Sequence, residues 1–245
     1  MSAGGVGEEP AAGATPGHGP PRSGPVLVLW VALTVIVQGG LWLAGFRTSA
    51  LSGAVDQGAA RVEALGLGVV GDDLIRKAIR TQHDTLPFWT VLAFLGDFLA
   101  EPAALATRAL AAATAYSALA ALRGRAVGFD RALAGCAAAQ GFWVLGLAVR
   151  AGLMAALRRG GVETSAALLL PAGVHPAWVY LMLRQLDAFT LAGWGVVAAE
   201  ARRRGQVDWP GAVAVAAALG AFEAAVRVAV GLGMGAAMRL SVMPS

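Results

Sequence analysis

Glu223 and Arg227 stand four residues apart inside an apolar run, acid first. On a helix that spacing sets the two charges along one flank in their favourable order. Arg184 and Asp187 repeat the device at spacing three, at the threshold of a second apolar stretch. Ionisable side chains inside a bilayer cost roughly 2.5–3.5 kcal/mol each on insertion scales, and they often mark proton or ion pathways. Arg184, Asp187, Glu223 and Arg227 are therefore candidate intramembrane charge pairs. They read either as self-neutralising structural pairs or as a polar path for a small solute or ion. His83, in RTQHDTLPFW, and His175, in VHPAW, are the other groups with chemical potential. A metal site would need both of them brought beside an acid such as Asp84, and no close ligand spacing supports that. The single cysteine, Cys136, leaves no intrachain disulfide. No Ser-His-Asp order or phosphate loop stands out, and Gly231, Gly233 and Gly235 lack the preceding strand of a dinucleotide site. No catalytic residue, metal or cofactor is expected.

The elements that must position these charges follow from composition. Hydrophobic residues make up 57% of the chain and charged residues only 14%, outside the range of ordinary soluble domains. The net charge of +4 comes almost entirely from arginine, with Lys77 the lone lysine, and the basic residues cluster between apolar runs. That is a topology signal, and nucleic acid is not an expected partner. The expected fold is all-α: a polytopic membrane helix bundle of about five transmembrane helices, with an amphipathic helical hairpin after the first.

Residues 1–24, rich in Gly, Pro and Ala, have almost nothing to bury and read as a disordered tail. The membrane domain occupies 25–245. The first span covers about 26–46, with Trp30 and Trp42 toward its ends as interfacial anchors. The extramembrane hairpin occupies 47–86: Leu51, Val55, Val62 and Leu65 share one helical face, Gly66 is a stop, and Asp72 begins a second helix carrying Leu74, Ile75, Ala78 and Ile79. The second span is placed at about 102–122, with 87–100 as its kinked or interfacial lead-in because Pro102 suits a helix's first turn. The third runs over 129–157, and Pro171 and Pro176 make 165–178 an interfacial connector. The fourth covers 180–201 and the fifth 209–238, opening on Trp209 and Pro210. Asp187 and Glu200 are separated by only 12 residues, about 18 Å of helix, so Asp187 lies in hydrocarbon shielded by Arg184 or at a thinned interface. Small residues one turn apart, Ala212, Ala216, Gly220 and Ala224, then Gly231 and Gly235, with Ala148 and Gly152 on span three, suit close helix contact within the monomer.

Five crossings put the termini on opposite sides. Seven basic residues of short segments (Arg22, Arg123, Arg125, Arg131, Arg202, Arg203, Arg204) fall on the N-terminal side, against Arg158, Arg159 and Arg239 opposite; the hairpin adds five bases and five acids there. This favours a cytoplasmic N-terminus.

Two segments resemble the Yip1 family of five-span membrane proteins. LRGRAVGFDRALAGCAAAQGFW carries Gly124, Arg125, Phe129 and Leu133, similar to that family's short glycine-and-basic loop followed by an aromatic and a leucine. LRQLDAFTLAGWGVVAAEARRRG resembles its Leu-Asp-x-Phe entry to a span, here Leu186, Asp187 and Phe189. The likeness covers roughly residues 86–235. The chain departs from the pattern in lacking a proline in the middle of span three and in carrying Glu223 and Arg227. The resemblance implies a non-enzymatic protein that organises or shapes a membrane, or scaffolds other membrane proteins, with no catalytic residue. Eukaryotic members are associated with small GTPases and vesicle traffic, but the tail here has no evident GTPase-binding motif. Expected partners are the lipid bilayer and other membrane proteins or a second copy, in a prokaryotic cytoplasmic membrane. The alternative reading is a small-solute or ion transporter using the intramembrane charges, and a membrane enzyme using both histidines is third.

Overall fold

The computed structural model describes residues 23–66, 71–125, 128–170 and 176–242. Among them every regular element is helical: α1 (Ser23–Leu43), α2 (Phe46–Gly66), α3 (Asp72–Asp84), α4 (Leu86–Leu95), α5 (Glu101–Leu122), α6 (Phe129–Ala139), α7 (Gly141–Leu157), α8 (Ala177–Gln185), α9 (Ala188–Arg203) and α10 (Trp209–Val242). The tail, apart from Ser23 and Gly24 which begin α1, lies outside the described residues, as do Pro171 and His175. So do the side-chain surroundings of Val62, Leu65 and Gly235.

Four helices are long and apolar enough to cross a membrane: Ser23–Leu43, Asp72–Leu122, Phe129–Leu157 and Trp209–Met234. In hydrocarbon a backbone must satisfy its own polar groups, which makes such runs helical. Their outward faces carry Val28, Ile36, Val91, Leu99, Leu110, Leu145, Phe222 and Val230, an exposed apolar surface of the kind soluble proteins avoid. The construction is that of an integral membrane protein.

Local chemistry explains the breaks. A π-helical turn, Gly96–Ala100, joins α4 to α5 directly before Pro102. Pro102 has no N–H to give and its ring crowds the carbonyl one turn back, so the coil widens there. α5 and α9 end alike. Gly124 (φ +68) and Gly205 (φ +71) take the left-handed position. Arg125 N–H then bonds Ala120 O at 2.9 Å and Gly124 N–H bonds Ala121 O at 3.0 Å, with Gln206 and Gly205 doing the same on Ala201 and Arg202. The glycine of the first resembling segment is thus a helix stop.

The core is small-residue packing. Ala109, Ala112, Ala113 and Tyr116 of α5 meet Ala132, Cys136 and Ala139 of α6, Val197, Ala198 and Ala201 of α9, and Ala212 and Ala216 of α10. Methyl-sized side chains let helix axes approach closely. Tyr116 fills the junction and donates its hydroxyl to Ala212 O at 2.8 Å. The α10 stripe therefore packs inside the chain, Gly220 against Trp194 and Gly231 against Leu181. Ala148 and Gly152, expected to pack in the same way, are exposed.

α2 packs along α3, burying Val55, Ala59 and Ile75. The region expected as one helical span over 180–201 is instead two helices, parted at Leu186 and Asp187. Trp30 and Trp42, expected as anchors, also pack inward: Trp30 lies against Gly141 and Trp42 Nε1 donates to Asp97 at 2.9 Å.

Gly160 ties the loop after α7 to the start of α2, where an added Cβ would stand 2.6 Å from Ala50 N and 2.7 Å from Phe46 O. Backbone cannot swing aside. Gly160→Ala is expected to lower stability by about 1–3 kcal/mol. Gly152→Ala, with nothing within 4 Å, is expected to leave it unchanged or slightly raised. Thermal unfolding of the detergent-solubilised protein distinguishes them.

Candidate functional site

α5 and α10 run antiparallel, as three contacts along them record: Tyr116 with Ala212, Arg108 with Glu223, and Glu101 with Arg227. Glu101 and Arg108 lie two turns apart on one face of α5, opposite Glu223 and Arg227 on α10. Arg108 Nε donates to both Glu223 oxygens at 2.9 Å. Arg227 Nε donates to Glu223 at 3.0 Å, while its terminal nitrogens reach Glu101 at 2.8 and 3.3 Å. Arg108 also approaches Glu101 at 3.9 Å. The result is a four-membered ring of alternating charge. Its depth follows from Trp209: Glu223 lies about 20 Å and Arg227 about 27 Å along α10 at roughly 1.5 Å per residue. In a hydrocarbon layer of about 30 Å that is the half remote from Trp209.

Aromatic groups seal the ring on one side. The Arg108 guanidinium stacks on Trp143 of α7 at 4.9 Å, and Trp143 meets Trp194 of α9 edge-on at 5.7 Å. Gly193 makes room, since a Cβ there would stand 2.7 Å from the Trp143 ring. Arg108 keeps 6% of its side-chain surface.

The break between α8 and α9 forms the neighbouring half of the site. Asp187, 7% exposed, takes extended backbone and caps α9, accepting from Thr190 N–H at 3.3 Å. Its other oxygen accepts from Thr164 Oγ1 at 3.0 Å, and Arg150 of α7 donates to the same hydroxyl at 3.2 Å. The loop after α7 supplies the missing backbone partners: Ala166 N–H bonds Leu186 O at 3.0 Å, and Ser165 and Asp187 form an isolated antiparallel bridge. A buried helix break needs other protein to answer its freed polar groups, and residues 164–166 do so here. α8 and α9 nonetheless follow one course along α10, Leu181 facing Gly231 and Trp194 facing Gly220.

The four sequence candidates divide accordingly. Glu223 and Arg227 are in contact, as expected. Arg184 does not shield Asp187; it turns to Glu163 at 3.9 Å, because the break rotates α8 away from the start of α9. Burial pushes the Glu163 carboxyl up, but hydrogen bonds from Ser165 and the charge of Arg184 outweigh it and hold it below the usual range. Phe189 packs on Gly146, while Leu186 is half exposed. Phe129 lies exposed at the start of α6. The sequence does not single out Arg108, Glu101 or Thr164, and it marks Arg150 only as a charge near the far end of the third span whose long side chain could reach the headgroups; Arg150 instead turns to Thr164. A signal for Arg108 existed: an arginine two turns inside the expected second span needs a counter-charge.

Trp143 and Arg150 stand seven residues, about two turns, apart on α7, one stacking on Arg108 and the other reaching Thr164, so the two halves adjoin. Glu101, Glu223 and Asp187 against Arg108, Arg150 and Arg227 sum to zero. Arg108 Nη1 and Arg150 Nε are buried without a hydrogen-bond partner among the described residues. Farther along, Arg47 pairs with Asp97, joining α2 to the π-helical turn. A groove of about 460 Å³ between α1 and α7 is lined by Trp30, Val37, Phe142 and Leu145, and is apolar. His83 lies 3.8 Å from Asp56, and no cluster among the described residues could hold a metal ion.

Removing one partner of a buried ion pair strands the other. Arg108→Met and Glu223→Gln are each expected to destabilise the protein by about 3–5 kcal/mol. The double variant is expected to cost less than their sum by at least 1 kcal/mol, as coupled groups do. Denaturant titration in mixed micelles measures the cycle. Compared with known proteins, the chain matches no family model, no curated protein and no solved structure.

Proposed function

We propose that this chain is a non-enzymatic multi-pass membrane protein of the Yip1 layout, organising or shaping the bilayer or scaffolding other membrane proteins. In this reading it crosses five times, the discontinuous helix α8–α9 being the fourth crossing, and the packed helices α2 and α3 rest on the membrane surface. The observation that carries it is the pairing of the interhelical charges with one another, Arg108 and Asp187 being buried and Glu101, Glu223 and Arg227 partly buried. The acids Glu101, Glu223 and Asp187 engage Arg108, Arg227 and, through Thr164, Arg150. A neutral, interlocked set holds helices together and leaves no net charge to draw an ion. α3 supports the surface role: Ile75 is buried against α2, while neighbouring Leu74 is 60% exposed on a helix otherwise rich in charge.

Transport of a small solute or ion is the second reading, and one observation favours it. The broken helix carries Asp187 beside Arg150, whose Nε has no partner among the described residues. Reconstituted liposomes separate the two. The scaffold reading expects the protein to change vesicle curvature, Leu74→Glu to weaken that change, and Asp187→Asn to leave ion and solute permeability at the protein-free level. Flux that Asp187→Asn abolishes overturns it.

Orientation follows the basic end. Arg123, Arg125, Arg131, Arg202, Arg203 and Arg204 gather at one end of the bundle, where Arg125 donates to Gly205 O and Arg204 to Arg131 O. In this reading that end, with the N-terminus, is cytoplasmic. Cys136 is buried, so a cysteine introduced at Arg125 is labelled against a silent background. Labelling of Arg125→Cys only after the membrane is permeabilised, and of Gly161→Cys in intact cells, is the expected pattern.

A further inference from the structure

The basic end has more arginine than its own carboxylates satisfy. Six arginines, at 123, 125, 131 and 202–204, face three acids, Asp130, Glu200 and Asp208. Arg123 pairs with Asp208, and hydrogen bonding from Arg123 holds that carboxyl below its usual range. Arg203 and Arg204 both take Glu200, at 3.0 and 3.1 Å. Arg125, Arg131 and Arg202 have no carboxylate within 4.0 Å among the described residues, and all three are exposed.

These cations are not on loose loops. Arg125 Nη1 donates to Gly205 O at 3.2 Å, Arg204 Nη1 donates to Arg131 O at 2.9 Å, and the Arg123–Asp208 pair closes the third link. The turns after α5 and α9 are thereby clamped into one platform, with Gln206 and Val207 buried beneath. Arg202 lies over the Trp209 ring at 5.7 Å, which fixes its position at the rim. Beside the cations the surface turns apolar: Leu122 at the end of α5 is 84% exposed, Trp209 at the start of α10 47% and Phe129 at the start of α6 42%.

A ligand matching this surface carries a phosphate for the guanidinium groups and a hydrocarbon body for the apolar side chains next to them. We propose that the platform of Arg125, Arg131 and Arg202 binds the headgroups of anionic phospholipids, with their acyl chains lying along Leu122, Phe129 and Trp209. Guanidinium suits the role because its planar fork engages phosphate oxygens in pairs. An acidic protein or nucleic acid would match the charge and leave the apolar border unused. The inference rests on membrane insertion alone, not on a shaping role or on which side the platform faces.

The test uses the full chain in uncharged detergent, titrated with dioleoylphosphatidylglycerol or dioleoylphosphatidylcholine in mixed micelles, with the thermal midpoint and lipid retained after gel filtration as readouts. The phosphatidylglycerol is expected to bind more tightly than the phosphatidylcholine by about fivefold per arginine, roughly a hundredfold for three. The triple variant Arg125→Gln, Arg131→Gln, Arg202→Gln is expected to lose that preference with an unchanged helical spectrum. The double variant Arg158→Gln, Arg159→Gln, at the opposite end of α7, is expected to retain it. Equal binding of both lipids, a preference that survives the triple variant, or the same shift from inorganic phosphate alone overturns the proposal.

Discussion

A charge can remain in hydrocarbon only if a neighbouring helix brings its counter-charge, and much of this bundle is arranged around that requirement. Arg108, two turns into α5 and almost without contact to solvent, is held by both oxygens of Glu223 on α10 and by the face of Trp143 on α7. Each of these contacts dictates another. Trp143 needs Gly193, which fixes how α9 lies on α7; Glu223 needs Arg227, and Arg227 needs Glu101. The antiparallel register of α5 on α10 follows, and at its other end Tyr116 reports the same register through Ala212.

Apolar packing then works with unusually small side chains. The core where α5, α6, α9 and α10 meet is built mostly of alanine, so each residue buries little area and the gain comes from close approach of the helices. Such packing discriminates register weakly, because one alanine face resembles the next. Polar contacts of unique geometry supply the discrimination: the charge ring, the Arg47–Asp97 pair at the π-helical turn, and the Asp187–Thr164–Arg150 chain at the break.

Much of this was legible in the sequence. Apolar run length located four membrane-length helices, Trp209 marked the start of α10, and Pro102 stands just after the π-helical turn. The Glu223–Arg227 pair could be read because its members sit one turn apart. Glu101 and Arg108 could not be matched to them: a contact between residues separated by more than 110 positions leaves no local spacing to read. Arg184 and Asp187 misled for the opposite reason. Spacing three implies contact only on a continuous helix, and the aspartate that seemed to need shielding is itself what ends the continuity, by capping α9 from extended backbone. Leu-Asp-x-Phe thus has a physical meaning at this position, with Asp187 starting a helix and Phe189 seating it on Gly146.

The central claim is that the charges between the helices are fastened to one another and do not line a path. An experimental map of the protein in a lipid nanodisc, fine enough to show ordered water, tests it most directly. The account predicts Arg108 in direct contact with Glu223, Arg227 bridging to Glu101, and at most isolated waters at Arg108 Nη1 and Arg150 Nε. A continuous file of water from Asp187 to Glu223 that opens to one face of the bilayer would contradict it.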